Sequence, residues 1–171
     1  MSHTLEVLMY QVGQIFLIPT LTVIALLFLY SFYALGAFAM QWLQRRRSPM
    51  SFDDSRGYPL VAWARDQAVI NDDNLDVKAH ELLELPRIAT RVAPMLGLVA
   101  TMIPMGPALK GLSDGNLARV SDNLTVAFSA VILALIAASI TYWIVSVRRR
   151  WLAEELVWLT AQLNGKGVAA K

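Results

Sequence analysis

Three hydroxyl side chains are the main candidates for chemistry inside two long apolar stretches of this chain. Thr101 lies in a charge-free stretch at residues 92–109, and Ser129 and Thr141 lie in another at residues 123–147. Neither stretch contains Asp, Glu, His, Lys or Arg. A hydroxyl can donate to a carboxylate and accept from a protonated carboxyl. Because an intramembrane proton relay normally needs an ionisable side chain, another chain must supply that group.

The remaining polar residues form no set suited to catalysis or metal binding. We find no nucleophile paired with a base and no glycine-rich phosphate loop. His80 and Glu84 can share one face of a helix, but two ligands without a third or fourth do not make a metal site. With no cysteine, the chain has neither disulfides nor thiolate ligands. We therefore expect neither an enzyme nor a bound cofactor.

The hydropathy of the chain indicates an integral membrane protein. Of its 171 residues 56% are hydrophobic, and only one small polar region remains for a soluble fold. A further charge-free run near the N-terminus is long enough to span the hydrocarbon with some tilt. We predict an all-α membrane protein with three transmembrane helices, at residues 15–43, 88–109 and 122–147.

The last two predicted spans each carry small or short side chains on one helical face. Such a face lets membrane helices approach closely. It can also line a pore, because it leaves room for another helix or for water. The spacing alone leaves both interpretations open. Besides Thr101, the predicted small face comprises Thr90, Pro94, Gly97, Ala127, Val131, Ala134 and Ala138.

Basic residues predict the orientation of the spans. The turn between the second and third spans, residues 110–121, holds only Lys110 and Arg119, so 13 of the 15 Lys and Arg residues fall on the other side. The positive-inside rule therefore places the N-terminus outside and the C-terminus in the cytoplasm. Because the arginines cluster at membrane boundaries, the net charge of +2 does not indicate nucleic-acid binding.

Four further segments flank the predicted spans. Residues 1–14 lack Lys and Arg, unlike a secretory signal peptide, and we predict a short amphipathic segment outside the membrane. Residues 44–87 are expected to form a cytoplasmic helical insert. Residues 148–163 have apolar side chains at helical spacing and predict a cytoplasmic extension of the third span. Residues 164–171 are expected to form a flexible tail.

The second span has the motif of a known family. Ala-Pro-Met-Leu-Gly-Leu at residues 93–98, followed by Thr101 and an alanine-rich last span, resembles the MotA/TolQ/ExbB proton-channel family. Residues 103–109 and 123–129 are similar to a short subgroup of that family. The resemblance implies a pentamer in the inner membrane, enclosing two copies of a single-span ExbD/TolR/MotB-like partner. It also implies that the partner carries the ion-binding carboxylate and that ion flow drives movement between the components.

The last span departs from the family pattern. Members of the family place a hydroxyl residue level with the preceding threonine, and here the best registration puts Val131 at that position. Ser129 is two residues away, which rotates it by about 200° around the helix. A carboxylate found near position 126 in some relatives is replaced by Val126. The transported ion, H⁺ or Na⁺, therefore stays open.

Our leading hypothesis is the channel-forming subunit of an ion-driven membrane motor or energiser. Thr101 is its main ion-pathway residue, and Ser129 and Thr141 are further polar contacts. One alternative is a non-conducting scaffold of the same fold, in which Val131 closes the path. Another is a small holin-like pore former, which needs no partner. Thr101 also has a structural alternative, a hydroxyl bonded to a carbonyl of its own helix.

Overall fold

A computed structural model of the chain describes residues 2–52, 55–67 and 72–169, with side chains described from 8 to 163 within those ranges. It contains four α-helices: α1 (Ser2–Arg47), α2 (Pro59–Arg65), α3 (Asp72–Ser113) and α4 (Leu117–Ala169). The described residues contain no β-strand. α1, α3 and α4 are long and apolar enough to cross a membrane, whereas α2 has seven residues. The prediction of an all-α fold with three membrane-spanning helices is confirmed.

Each long helix extends beyond the membrane segment predicted within it. α1 begins at Ser2, thirteen residues before the predicted span, and α3 begins at Asp72, inside the predicted insert. α4 continues through the predicted extension, and its backbone is helical as far as Ala169, where a tail was predicted. A charge-free run marks the hydrocarbon layer, but helical backbone hydrogen bonds can continue past it into water. Hydropathy therefore located the spans and not the helix ends.

The connection between α3 and α4 is shorter than the twelve-residue turn predicted at 110–121. Only residues 114–116 lie outside the two helices. Gly115 adopts a φ of 70°, which favours glycine, and Asn116 caps α4 by accepting a hydrogen bond from the Arg119 N–H at 3.1 Å. This tight turn brings the two helices back alongside each other.

The first of two compact units comprises the residues up to Phe32 together with Ala89–Ile140. It contains parts of α1, α3 and α4. Small side chains dominate its interior, which is centred on Ile24, Ala100, Ala130 and Ala134. Small residues allow the helix backbones to approach closely, as the sequence pattern predicted.

The second unit comprises Tyr33–Ile88 and the residues from Thr141 onwards. Its core forms where α2 and the first turns of α3 pack on the end of α4. Leu75, Ala79 and Leu83 of α3 are buried there, and Leu152 and Leu159 of α4 lie in the same cluster. An apolar face of the predicted insert is therefore packed against the predicted extension of the third span.

Candidate functional site

Thr101 lies on α3 within the first unit, and its side chain is partly exposed. Its Oγ1 donates a hydrogen bond to the Leu98 carbonyl of the same helix at 2.7 Å. This bond is the structural alternative predicted for Thr101, a hydroxyl bonded to a carbonyl of its own helix. The bond uses the only hydrogen of the hydroxyl and leaves oxygen lone pairs. Thr101 can therefore accept a hydrogen bond from an incoming group while its own helix bond stays intact.

The small face is divided between buried and partly exposed members. Gly97 is buried where α3 meets α4: a Cβ added there would lie 3.0 Å from the Ala134 Cβ and 3.3 Å from Val131 Cγ2. Ala127, Ala134 and Ala138 are also buried. These four residues therefore form close helix contacts within one subunit, which is the packing interpretation of the pattern.

The other members of the small face keep some accessible surface. Thr90, Pro94 and Val131 are partly exposed, as is Thr101. Val131 packs against Gly97 on one side, yet it is not enclosed. A pore-lining role stays a prediction for the whole small face, and these four members have surface accessible to another chain.

Ser129 and Thr141 do not form one site with each other. Ser129 is exposed on α4 in the first unit, whereas Thr141 belongs to the second unit and is only 1% exposed. They are twelve helical steps apart, which corresponds to about 18 Å along α4. Ser129 is therefore accessible to another chain, and Thr141 is accessible to none in this subunit.

Proline interrupts the hydrogen bonding of α3, and a side chain of α1 compensates at one position. Pro107 has no N–H, so the Ile103 carbonyl one turn earlier lacks its usual helical donor. The Gln14 side-chain amide of α1 donates to that carbonyl at 3.4 Å. Pro104 in the same turn is fully buried. A neighbouring helix therefore satisfies this freed backbone group, as a proline within a membrane helix requires.

An exposed apolar stripe runs along α3 beside Thr101. Its members repeat at intervals of three and four residues, the spacing with which helices pack against each other over several turns. Three of its five members are methionines, whose flexible side chains adapt to varied surfaces. The α3 stripe consists of Met95, Leu98, Met102, Met105 and Leu109, each more than half exposed.

A buried charged pair organises the second unit. Arg45 near the end of α1 forms an ion pair with Glu155 of α4, and their side chains are 9% and 0% exposed. Glu155 Oε2 also accepts hydrogen bonds from the backbone N–H groups of Leu60 at 2.8 Å and Val61 at 3.4 Å. These groups belong to the first turn of α2, where helical N–H groups lack internal partners and favour negative charge. Glu155 thus caps α2 from another helix.

Arg45 is held on several sides. Its Nε donates to the Gly57 carbonyl at 2.8 Å, and its guanidinium lies 4.5 Å from the ring centre of Tyr58 and 4.7 Å from that of Trp151. Gly57 has a φ of 82°, a conformation that places this carbonyl in the tight turn before α2. One arginine therefore joins α1, the turn and α4 of the second unit.

The Arg45–Glu155 pair was not predicted, although the sequence contains a signal for it. The position of Arg45 after the first span predicts only a basic residue at the membrane boundary. Glu155, however, lies between Leu152 and Leu159 at intervals of three and four residues, so it occupies the apolar face of the extension. An acidic residue at such a position indicates a buried partner.

Comparison with known proteins gives one family match, which covers half of the chain, from α3 into α4. The sequence profile of the MotA/TolQ/ExbB proton channel family matches residues 73–159. The matched range includes Thr101, the small face and Glu155. No curated protein and no solved structure matches the chain.

Proposed function

Because the chain belongs to the MotA/TolQ/ExbB proton channel family, we propose that it is the channel-forming subunit of a membrane complex driven by the ion-motive force. In this proposal five copies surround a dimer of a single-span partner, the transported ion is H⁺ or Na⁺, and the chain is not an enzyme and binds no cofactor. The observation that carries the proposal is a partly exposed hydroxyl, Thr101, within the run of α3 at residues 92–109 that contains no Asp, Glu, His, Lys or Arg.

The missing ionisable group identifies the kind of partner that the channel needs. A proton or sodium ion crossing the hydrocarbon must be bound by a group that changes charge or coordinates it, and the charge-free runs at residues 92–109 and 123–147 offer only uncharged polar groups and backbone. A single-span ExbD/TolR/MotB-like subunit with a carboxylate supplies that group. The partner is therefore part of the ion path as well as the recipient of the force.

Thr101 suits the protonated state of such a carboxylate. Its hydrogen is engaged with Leu98, so an oxygen lone pair is the free hydrogen-bonding site and it accepts from the protonated carboxyl. Binding the ionised carboxylate requires the hydroxyl to rotate away from Leu98. The two protonation states thus have different hydrogen bonding at Thr101, which provides a differential interaction that shifts the position of the partner as ions flow.

The α3 stripe supports the proposed assembly. Its five exposed apolar side chains border Thr101 along the same helix, so a helix that reaches Thr101 also contacts the stripe. In the pentamer we place this stripe against a neighbouring subunit or the partner span. Membrane helix association depends on such packing, because lipid provides no hydrophobic driving force between helices.

We also propose that the complex lies in the inner membrane, with the N-terminus outside and the C-terminus in the cytoplasm. The asymmetry of Lys and Arg supports this orientation. The second unit, with the Arg45–Glu155 pair, then lies at the cytoplasmic ends of the spans.

Ion flux through the purified complex, reconstituted with its partner in liposomes, tests the role of Thr101. Thr101→Val removes the hydroxyl at nearly constant volume and is expected to reduce flux at least about tenfold, since the ionised state of the carboxylate then loses a hydrogen bond worth about 1.5–3 kcal/mol. Thr101→Ser keeps the hydroxyl and is expected to retain most of the flux.

The matched control is Thr22→Val in α1. Thr22 is also an exposed span residue whose hydroxyl donates to its own helix, at 2.9 Å from the Ile18 carbonyl. Its replacement should leave flux unchanged. Equal flux in Thr101→Val and the unaltered complex would contradict the proposed role and favour the non-conducting scaffold, in which Val131 closes the path.

A further inference from the structure

A cleft of about 690 Å³ opens in the second unit between α1 and α4. Its apolar part is lined by Leu35, Phe38, Trp143 and Val147, and its basic end by Arg46 and Arg150. The apolar residues belong to the charge-free runs of the first and third spans, and the two arginines come directly after those runs. The cleft therefore extends from hydrocarbon depth to the membrane surface.

Aromatic contacts define the floor of the cleft. The Phe38 ring is 5.2 Å from that of Trp143 and stacks on that of Trp151 at 5.0 Å, with only 6° between the two ring planes. Phe38 and Trp151 are buried, whereas Trp143 is 55% exposed. Tryptophan with one accessible face is typical of the interface between hydrocarbon and headgroups.

The arginines at the basic end differ in how much they can offer a ligand. Arg45 is engaged with Glu155 and Gly57. Arg46 lies 4.0 Å above the Trp42 ring, a contact that holds the guanidinium by its face and leaves its N–H edge free to donate. Arg150 lies 3.7 Å from Glu154, and because both side chains are more than half exposed the pair is weak. Arg46 and Arg150 are therefore the donors available to an anion.

We propose that this cleft binds an anionic phospholipid, with its phosphate held by Arg46 and Arg150 and the start of an acyl chain on the apolar floor. Phe38 and Arg46 are eight helical residues apart, about 12 Å along α1, which matches the distance from a headgroup phosphate into the acyl region. A free phosphate ion would use the arginines but leave the aromatic floor empty. Lipid binding at this cleft depends on the placement of the spans in the membrane and not on ion conduction. It can therefore be tested independently of the proposed function.

Quenching of tryptophan fluorescence by brominated lipid tests this proposal. Three of the five tryptophans line the cleft: Trp42, Trp143 and Trp151. The purified complex is reconstituted in phosphatidylcholine vesicles with increasing fractions of brominated phosphatidylglycerol or brominated phosphatidylcholine. We expect phosphatidylglycerol to be preferred by about fivefold for each arginine, since one basic residue near an anionic surface contributes about 1 kcal/mol.

Two double variants separate a specific site from diffuse surface charge. Arg46→Gln with Arg150→Gln should abolish the preference, whereas Arg47→Gln with Arg149→Gln, the same change in arginines that do not line the cleft, should preserve it. Glu154→Gln removes the competing carboxylate and should increase the preference. Circular dichroism and the elution volume of the complex verify that each variant is folded and assembled.

Four results would overturn the proposal. The first is that the unaltered complex shows no preference for phosphatidylglycerol. The second is that both double variants lose the preference equally, as expected of diffuse surface charge. The third is that inorganic phosphate at millimolar concentration abolishes the preference, which would identify a site for free phosphate. The fourth is that neither brominated lipid quenches the cleft tryptophans, which would show that a second copy of the chain covers them.

Discussion

Gly97 illustrates at the residue scale how closely α3 and α4 approach. A Cβ at this position would meet the Ala134 Cβ at 3.0 Å and Val131 Cγ2 at 3.3 Å, so the neighbours would have to move. We predict that Gly97→Ala destabilises the subunit by about 1–3 kcal/mol, the usual cost of overpacking. Unfolding by SDS, followed by circular dichroism, measures the change.

Gly36 provides the matched control for Gly97. It also lies within a long helix, but a Cβ there has no neighbour within 4 Å. Gly36→Ala should leave stability unchanged or raise it by up to about 1 kcal/mol, because alanine is the better helix former. Adding Ala134→Gly to Gly97→Ala should recover part of the lost stability. Equal effects of the two alanine substitutions would contradict the close approach of α3 and α4.

At the scale of elements, the Arg45–Glu155 pair holds α1, α2 and α4 together within the second unit. We predict that Glu155→Gln destabilises this unit by about 3–5 kcal/mol, because it removes the ion-pair partner of the buried Arg45 charge. Replacing both residues by leucine should recover part of that loss, because no uncompensated charge remains, while the Leu60 and Val61 N–H groups still lack their acceptor. The midpoint of thermal unfolding and protection from proteolysis measure both effects.

An exposed pair on α3 serves as the control for this prediction. Lys78 and Glu81 lie 2.8 Å apart, and the Glu81 side chain is 60% exposed. Glu81→Gln should change stability by no more than about 1 kcal/mol, because solvent screens exposed pairs. A similarly small effect of Glu155→Gln would show that the buried pair does not stabilise the second unit.

The elements also show what sequence could and could not provide. Charge-free runs predicted all three spans, because hydrocarbon excludes ionised side chains. The spacing of small residues predicted close packing, but it could not distinguish a neighbour in the same chain from one in another, and Gly97 and Ala134 proved to contact each other. The pair of Arg45 and Glu155, and the bond from Gln14 to Ile103, join positions far apart in sequence. Periodicity within one helix carries no information about such contacts.

The orientation of the whole molecule is testable because the chain contains no cysteine. Ser121 and Ala153 are both exposed, near opposite ends of the third span. We predict that a membrane-impermeant maleimide labels Ser121→Cys in intact spheroplasts, because that residue lies outside. It should label Ala153→Cys only after the membrane is permeabilised. The reverse pattern would contradict the orientation that the basic residues predict.

The central claim is that this chain forms an ion path only together with a carboxylate from another subunit. Proton and sodium flux into liposomes, measured with the chain alone and with its single-span partner, tests that claim most directly, and native mass spectrometry gives the stoichiometry of each sample. We predict no flux with the chain alone, because the charge-free runs of its spans contain no Asp, Glu, His, Lys or Arg. With the partner we predict flux from a complex of five copies to two. Flux of equal size without any partner would contradict the account and identify a self-sufficient pore.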